Sequence, residues 1–75
     1  MLEFISMGEI KEEQLQDIAC IGYRDKCIWL DKNQEFMLSP SGKTIYIVCY
    51  DKNKNIIGKK GFRVSSCIYY TEITD

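Results

Sequence analysis

The sequence predicts an α+β fold in which one short N-terminal helix packs on a small curved antiparallel sheet of about five strands. Apolar residues recur at helical spacing between Ser6 and Gly22. From residue 43 onward, runs of β-branched and aromatic residues alternate with clusters of turn-forming residues. Seventy-five residues suffice for one domain, and we expect residues 1–75 to form it.

The helix is predicted from an apolar arc and from residues suited to its two ends. On a helical projection one arc collects Met7, Ile10, Leu15, Ile18 and Ile21. Ser6 and Glu9 have the spacing of a capping box, and Gly22 is suited to end the helix. The apolar run 18–21 would also suit a buried strand, so that alternative stays open.

Five segments have the strongest strand character: 27–30, 35–38, 43–50, 56–64 and 67–73. Residues 2–5 are a weaker candidate for a strand. Residues 31–34, residues 51–54 and the pair Ser65-Ser66 are predicted to be the turns of three hairpins, and residues 39–42 are predicted to form a type I turn between the first and the second. The strand from Cys67 to Ile73 comes last and is predicted to lie at a sheet edge. There it would accept a partner's strand or pair with a second copy in a homodimer.

Strand register predicts which side chains face solvent. With residues 51–54 as the loop, Ile45, Ile47, Cys49 and Phe62 share the inner face. The outer surface is predicted to carry Tyr46, Val48, Tyr50, Lys59, Arg63, Ile68 and Tyr70. Lys59 is expected opposite Glu72, and a bulge at a glycine would exchange the faces.

Composition and charge narrow the functional classes. Residues 1–38 carry eight acids and four bases, whereas residues 39–75 carry six bases and three acids, so the net charge of −1 conceals two opposite halves. No apolar run approaches the ~20 residues needed to span a bilayer. The first ten residues lack the features of a secretory signal. We therefore expect a cytoplasmic protein without a membrane partner.

The four cysteines are expected to be reduced thiols. Their spacing contains no CxxC motif and the chain has no histidine, which disfavours zinc, so no metal or cofactor is predicted. Three disulfide pairings remain as an alternative, as does a metal site. Residues 41–44 resemble the end of a phosphate-binding loop, but Met37 stands where that loop requires glycine. No catalytic constellation is recognisable, and we expect the protein not to be an enzyme.

The leading functional prediction is a small non-catalytic binding protein that acts through a protein–protein interface. An inhibitor or modulator of a larger partner, of the kind that phages and mobile elements encode, would fit. The alternative is a nucleic-acid-binding module that uses a basic, tyrosine-rich β-hairpin. Trp29 is expected in the core. The predicted partner-binding residues are aromatic or basic: Tyr46, Tyr50, Lys52, Lys54, Lys59, Arg63 and Tyr70.

Overall fold

The computed structural model describes residues 1–73, and most of its regular structure is β-strand. Seven strands and two 3₁₀ helices follow in this order: β1 (Leu2–Met7), first 3₁₀ helix (Glu12–Asp17), β2 (Cys20–Tyr23), β3 (Lys26–Trp29), β4 (Gln34–Leu38), β5 (Thr44–Tyr50), β6 (Ile56–Arg63), second 3₁₀ helix (Val64–Ser66) and β7 (Cys67–Glu72). Within this part of the chain no helix exceeds six residues. None has the length and apolar character that crossing a bilayer requires.

The predicted fold, one helix on a sheet of about five strands, is wrong, because the strands form two antiparallel sheets. The first sheet has four strands in the order β1-β7-β2-β3, and the second has three in the order β4-β5-β6. Their inner faces meet in one core, where Ile21 and Tyr69 of the first sheet pack with Ile45 of the second. The ring of Tyr23 lies 5.1 Å, centroid to centroid, from that of Phe62 on the facing sheet.

The predicted helix is replaced by strand, turn and strand. Gly8 has a φ of 79°, which ends β1 in a conformation that helices do not use. Only residues 12–17 then turn helically, and the Lys11 N–H caps that turn by donating to the side-chain oxygen of Gln14 at 2.9 Å. The apolar run 18–21 enters the buried strand β2, which pairs on both sides. Pairing with distant β7 overrides the local helical pattern.

Two of the three predicted hairpins are also wrong. β3 pairs with β2 rather than with β4, and the chain changes sheets between β3 and β4. It changes again after β6, where the second 3₁₀ helix buries Val64 in the core instead of forming a two-residue turn. Ser-Ser lacks the positive-φ residues that such a turn requires. Lys59 and Glu72 therefore lie in different sheets and do not face each other.

The predicted edge position of the last strand is wrong as well. β7 lies between β1 and β2, and both of its backbone edges are hydrogen-bonded. The predicted run 67–73 therefore contains a central strand, Cys67–Glu72, whose apolar side chains Cys67 and Tyr69 are fully buried. A homodimer formed through the edge of this strand would require backbone groups that β1 and β2 already occupy.

Candidate functional site

The outward surface of the three-stranded sheet gathers most of the predicted partner-binding residues. Ile45 and Ile47 are buried in the core, so the alternating residues of β5 point outward. We call this surface the tyrosine–lysine face; it comprises Glu35, Met37, Tyr46, Val48, Tyr50, Lys59 and Arg63. The observed β5–β6 register differs from the predicted one by two residues, an even number, so both strands keep their predicted faces over most of their length.

The ring of Tyr46 is held in place by two neighbours on β6. A methyl group built on Gly61 would lie 3.0 Å from this ring, so the phenol packs directly on the glycine backbone. The Lys59 ammonium nitrogen lies 4.1 Å from the ring centroid. That distance allows a cation–π interaction, worth about 0.5–1 kcal/mol at an exposed site. Tyr46 and Lys59 therefore form one unit.

Tyr50 and Glu35 form a second unit on the same face. The Tyr50 hydroxyl donates a hydrogen bond to the Glu35 carboxylate. This bond is the main reason that the pKa of Tyr50 is raised above its ordinary value. Val48 is fully buried although it points outward, and its cross-strand neighbours are Glu35 and Lys59. The side chains of this face therefore cover an apolar residue of their own.

The β5–β6 loop presents two further bases at one end of the face. Asp51 organises the loop, since its Oδ1 accepts hydrogen bonds from the backbone N–H groups of Asn53 and Asn55 at 2.8 and 2.9 Å. Those bonds, the one from Asn55 first, hold the pKa of Asp51 below its ordinary value. Lys54 has a φ of 63°, and both Lys52 and Lys54 are exposed.

Six of the seven predicted residues thus belong to the tyrosine–lysine face or to the adjoining loop, and Tyr70 does not. Tyr70 is half-buried on the outer face of the other sheet, because β7 pairs with β1 and β2. Its ring meets that of Phe4 edge to face at 6.5 Å. The prediction that grouped Tyr70 with Tyr46 depended on a β6–β7 hairpin that does not exist.

Sequence reasoning missed an exposed apolar surface on the four-stranded sheet. We call it the apolar face; it comprises Leu2, Phe4, Met7, Trp29, Ile68 and Tyr70. Trp29, expected in the core, is 51% exposed, and Phe4 and Met7 are 57% and 69% exposed. Leu2 and Phe4 alternate as an outward set, and the bulge between Phe4 and Ser6 brings Met7 to the same face. The alternation could be found in the sequence, but its outward direction could not.

The cysteines are free thiols. Cys20 and Cys27 lie on neighbouring strands with their sulfurs 3.5 Å apart. Burial, with a contribution from Cys27, raises the pKa of Cys20 to about 12, so this thiol stays protonated and weakly nucleophilic at neutral pH. Among residues 1–73, no group of three or more cysteine, aspartate or glutamate side chains is placed to hold a metal ion.

No known protein family, curated protein or solved structure matches this chain.

Proposed function

We propose that this chain is a small non-catalytic binding protein that contacts another protein through the tyrosine–lysine face. The observation that supports this is the convergence of Tyr46, Tyr50, Lys59 and Arg63 on one outward sheet surface. Tyrosine and arginine are the residue types that most often anchor protein interfaces. Because the chain is small, it would act by covering part of a larger partner, as an inhibitor or modulator does.

The charge of this surface indicates the chemistry of the partner. Four bases lie on the face and its loop, Lys52, Lys54, Lys59 and Arg63, against the acids Glu35 and Asp51. A complementary partner surface would be acidic and would include apolar groups to contact the two phenol rings. Such complementarity increases the association rate and favours the correct orientation more than it increases affinity.

Nucleic-acid binding is the second candidate, because the same bases surround two aromatic rings. Two contacts weigh against it. The Lys59 ammonium group already lies over the ring of Tyr46, so that ring is not a free stacking surface. The Glu35 carboxylate, which accepts a hydrogen bond from Tyr50, places a negative charge on the same face, where it would repel phosphate groups. A stacked base would need the Tyr46 ring to be free. The carboxylates of a protein partner could instead pair with the Lys59 ammonium group where it lies over that ring.

The test is retention of a partner from a nuclease-treated extract of the native host. Immobilised wild-type protein is compared with a Tyr46→Ala, Lys59→Glu double variant and with Lys11→Glu, which alters an exposed charge preceding the first 3₁₀ helix. We expect one stoichiometric protein to be retained by wild type and by Lys11→Glu but lost from the double variant. Circular dichroism must show that all three proteins are folded.

A different result would favour the second candidate. If material is retained only from a parallel extract without nuclease treatment, and nuclease then releases it, the partner is nucleic acid. Binding of a labelled single-stranded oligonucleotide should then weaken steeply with salt, and substitution of Lys52 and Lys54 should reduce the salt dependence. Equal retention by wild type and the double variant would refute the tyrosine–lysine face as the binding surface.

A further inference from the structure

The two-sheet structure is closed along one side and open along the other. On the closed side, the first 3₁₀ helix packs against β4, and the buried residues Ile10 and Ile18 flank it in sequence. On the open side, the edge strands β3 and β6 border a groove of about 600 Å³. That volume falls within the range of about 300–1,000 Å³ seen in ligand-binding clefts.

One wall of the groove is a free strand edge. Within residues 1–73, β6 pairs with β5 alone. The Val64 N–H donates to the Lys43 carbonyl at 3.0 Å, which fixes the alternation of hydrogen bonds along this antiparallel pair. The backbone N–H and C=O groups of Lys59 and Gly61, and the N–H of Arg63, consequently point away from β5, whereas the Arg63 carbonyl accepts a hydrogen bond from the Cys67 thiol. The groups that point away from β5 are oriented to hydrogen-bond with another extended chain.

The floor of the groove is apolar. Tyr23 and Ile28 come from the four-stranded sheet, and Phe62 and Ile47 come from the three-stranded sheet. The rings of Tyr23 and Phe62 meet edge to face across the interface between the sheets. An extended chain paired with β6 would direct alternate side chains onto this floor and the others toward solvent.

The groove is positively charged. Three basic side chains, Arg24, Lys26 and Lys60, line it against the acids Asp25 and Asp31. Lys59 also borders the groove, but its ammonium group lies over Tyr46 on the opposite face of β6. Lys26 shares the inner face of β3 with Ile28, and Lys60 shares the inner face of β6 with Phe62. The Lys60 ammonium nitrogen lies 5.6 Å from the Phe62 ring centroid, so this charge stands beside the apolar floor. Inward-facing lysines on edge strands can also serve to prevent strand pairing.

We propose that the groove between β3 and β6 binds an extended acidic segment of a protein partner, which adds a strand to the free edge of β6. The free backbone groups supply the pairing, the floor accepts small apolar side chains, and the excess of bases selects acidic residues between them. This groove lies on the opposite side of β6 from the tyrosine–lysine face, so the proposal does not depend on that face.

The test uses a fluorescein-labelled, acetylated peptide in which Glu and Val alternate. Its binding is followed by anisotropy and by the fluorescence of Trp29, the only tryptophan, which lines the groove. We expect saturable binding of this peptide and none of a Lys/Val peptide. N-methylation of alternate peptide amides should weaken binding by about tenfold, because it removes the donors that pair with β6.

Charge variants separate selection of an acidic peptide from edge protection. Lys60→Glu should weaken binding of the Glu/Val peptide by about tenfold or more, whereas Lys52→Glu, the same change in the β5–β6 loop, should leave it near the wild-type value. Tyr46→Ala should also retain binding, which distinguishes this groove from the tyrosine–lysine face. Lys26→Glu is the replacement if Lys60→Glu does not fold.

Nuclear magnetic resonance locates the contact. We expect the amide shifts caused by the Glu/Val peptide to centre on Lys59, Gly61 and Arg63. The proposal is overturned if the Glu/Val peptide does not bind, if N-methylation has no effect, or if Lys60→Glu binds it as well as wild type. Peptide binding only to Lys60→Glu would show that this lysine protects the edge.

Discussion

Removal of one hydroxyl group from the centre of the core should stabilise the protein. Tyr69 is the largest fully buried side chain, and its hydroxyl has no hydrogen-bond partner among the residues that the structure describes. Burial also raises the pKa of this phenol far above its ordinary value. A buried hydroxyl left unpaired costs about 1–3 kcal/mol, whereas the phenyl ring retains its packing in Tyr69→Phe.

We therefore expect Tyr69→Phe to increase the free energy of unfolding by about 1 kcal/mol or more. For a chain of this size, each kcal/mol corresponds to roughly 4–8 °C in the melting temperature. Part of the gain is offset, because the small void left by the oxygen loses some packing contacts. The sign of the change is nevertheless opposite to that of most core substitutions, which makes the prediction specific.

Urea unfolding followed by circular dichroism measures this change. Tyr70→Phe is the matched control, since it removes the same atom from the outward face of the same strand and should alter stability by less than about 0.5 kcal/mol. The reasoning is refuted if Tyr69→Phe leaves the free energy of unfolding unchanged or lowers it; a loss of about 1 kcal/mol is the value of an ordinary hydrogen bond. The hydroxyl would then be hydrogen-bonded. The Cys67 sulfur is the candidate acceptor, because it can accept from Tyr69 while its own thiol donates to the Arg63 carbonyl at 3.3 Å.

Three further predictions concern the strands and the β5–β6 loop. Because the pKa of Cys20 rises from 9.0 to about 12 on folding, the unfolded chain loses this proton first, and the free energy of unfolding should fall as pH rises from about 9 to 12. Over that range the urea midpoint of Cys20→Ala should fall less steeply than that of wild type. Gly61→Ala forces a methyl group to within 3.0 Å of the Tyr46 ring and should cost about 1 kcal/mol, an effect that should shrink in a Tyr46→Ala background. Since folding lowers the pKa of Asp51, its contribution is present above the ordinary pKa of 3.8 and is lost as pH falls through the lower folded value. Protection of the Asn55 amide from hydrogen exchange, relative to the intrinsic rate at the same pH, should decrease there, and also in Asp51→Ala at neutral pH.

Much of the β-structure could be predicted from the sequence, because strand patterns and turn residues act locally. The predicted strand at residues 43–50 is observed as Thr44–Tyr50, and that at 56–64 as Ile56–Arg63. The helix could not be rejected locally, since the same apolar residues satisfy a helical arc and a buried strand. The choice between helix and strand is decided by the pairing of β2 with β7, which lies about fifty residues further along the chain. Local periodicity contains no information about that pairing.

The candidate site was predictable to the extent that it lies within one hairpin. Tyr46, Tyr50 and Lys59 share a face because β5 and β6 are joined by a short loop, and a register error of two residues leaves their directions unchanged. Tyr70 and Trp29 were assigned wrongly for the opposite reason. Their surroundings depend on which distant strands become neighbours, which in turn decides whether a side chain meets the core or solvent.

The two outward surfaces differ in how far they are ordered before any partner arrives. On the tyrosine–lysine face, Lys59 lies against Tyr46 and Tyr50 is bonded to Glu35, so these side chains are already restricted. On the apolar face, the ring of Phe4 meets that of Tyr70 edge to face, and Phe4 remains more than half exposed.

Immobilising a free side chain on binding costs about 0.5–1.5 kcal/mol, so restricted side chains lose less entropy when a partner docks. Pre-ordering thus favours the tyrosine–lysine face as a surface for specific recognition. Exposed apolar area alone would instead favour the apolar face. Comparing partner retention by wild type and by the Tyr46→Ala, Lys59→Glu double variant shows whether side-chain pre-ordering or apolar area determines the binding surface.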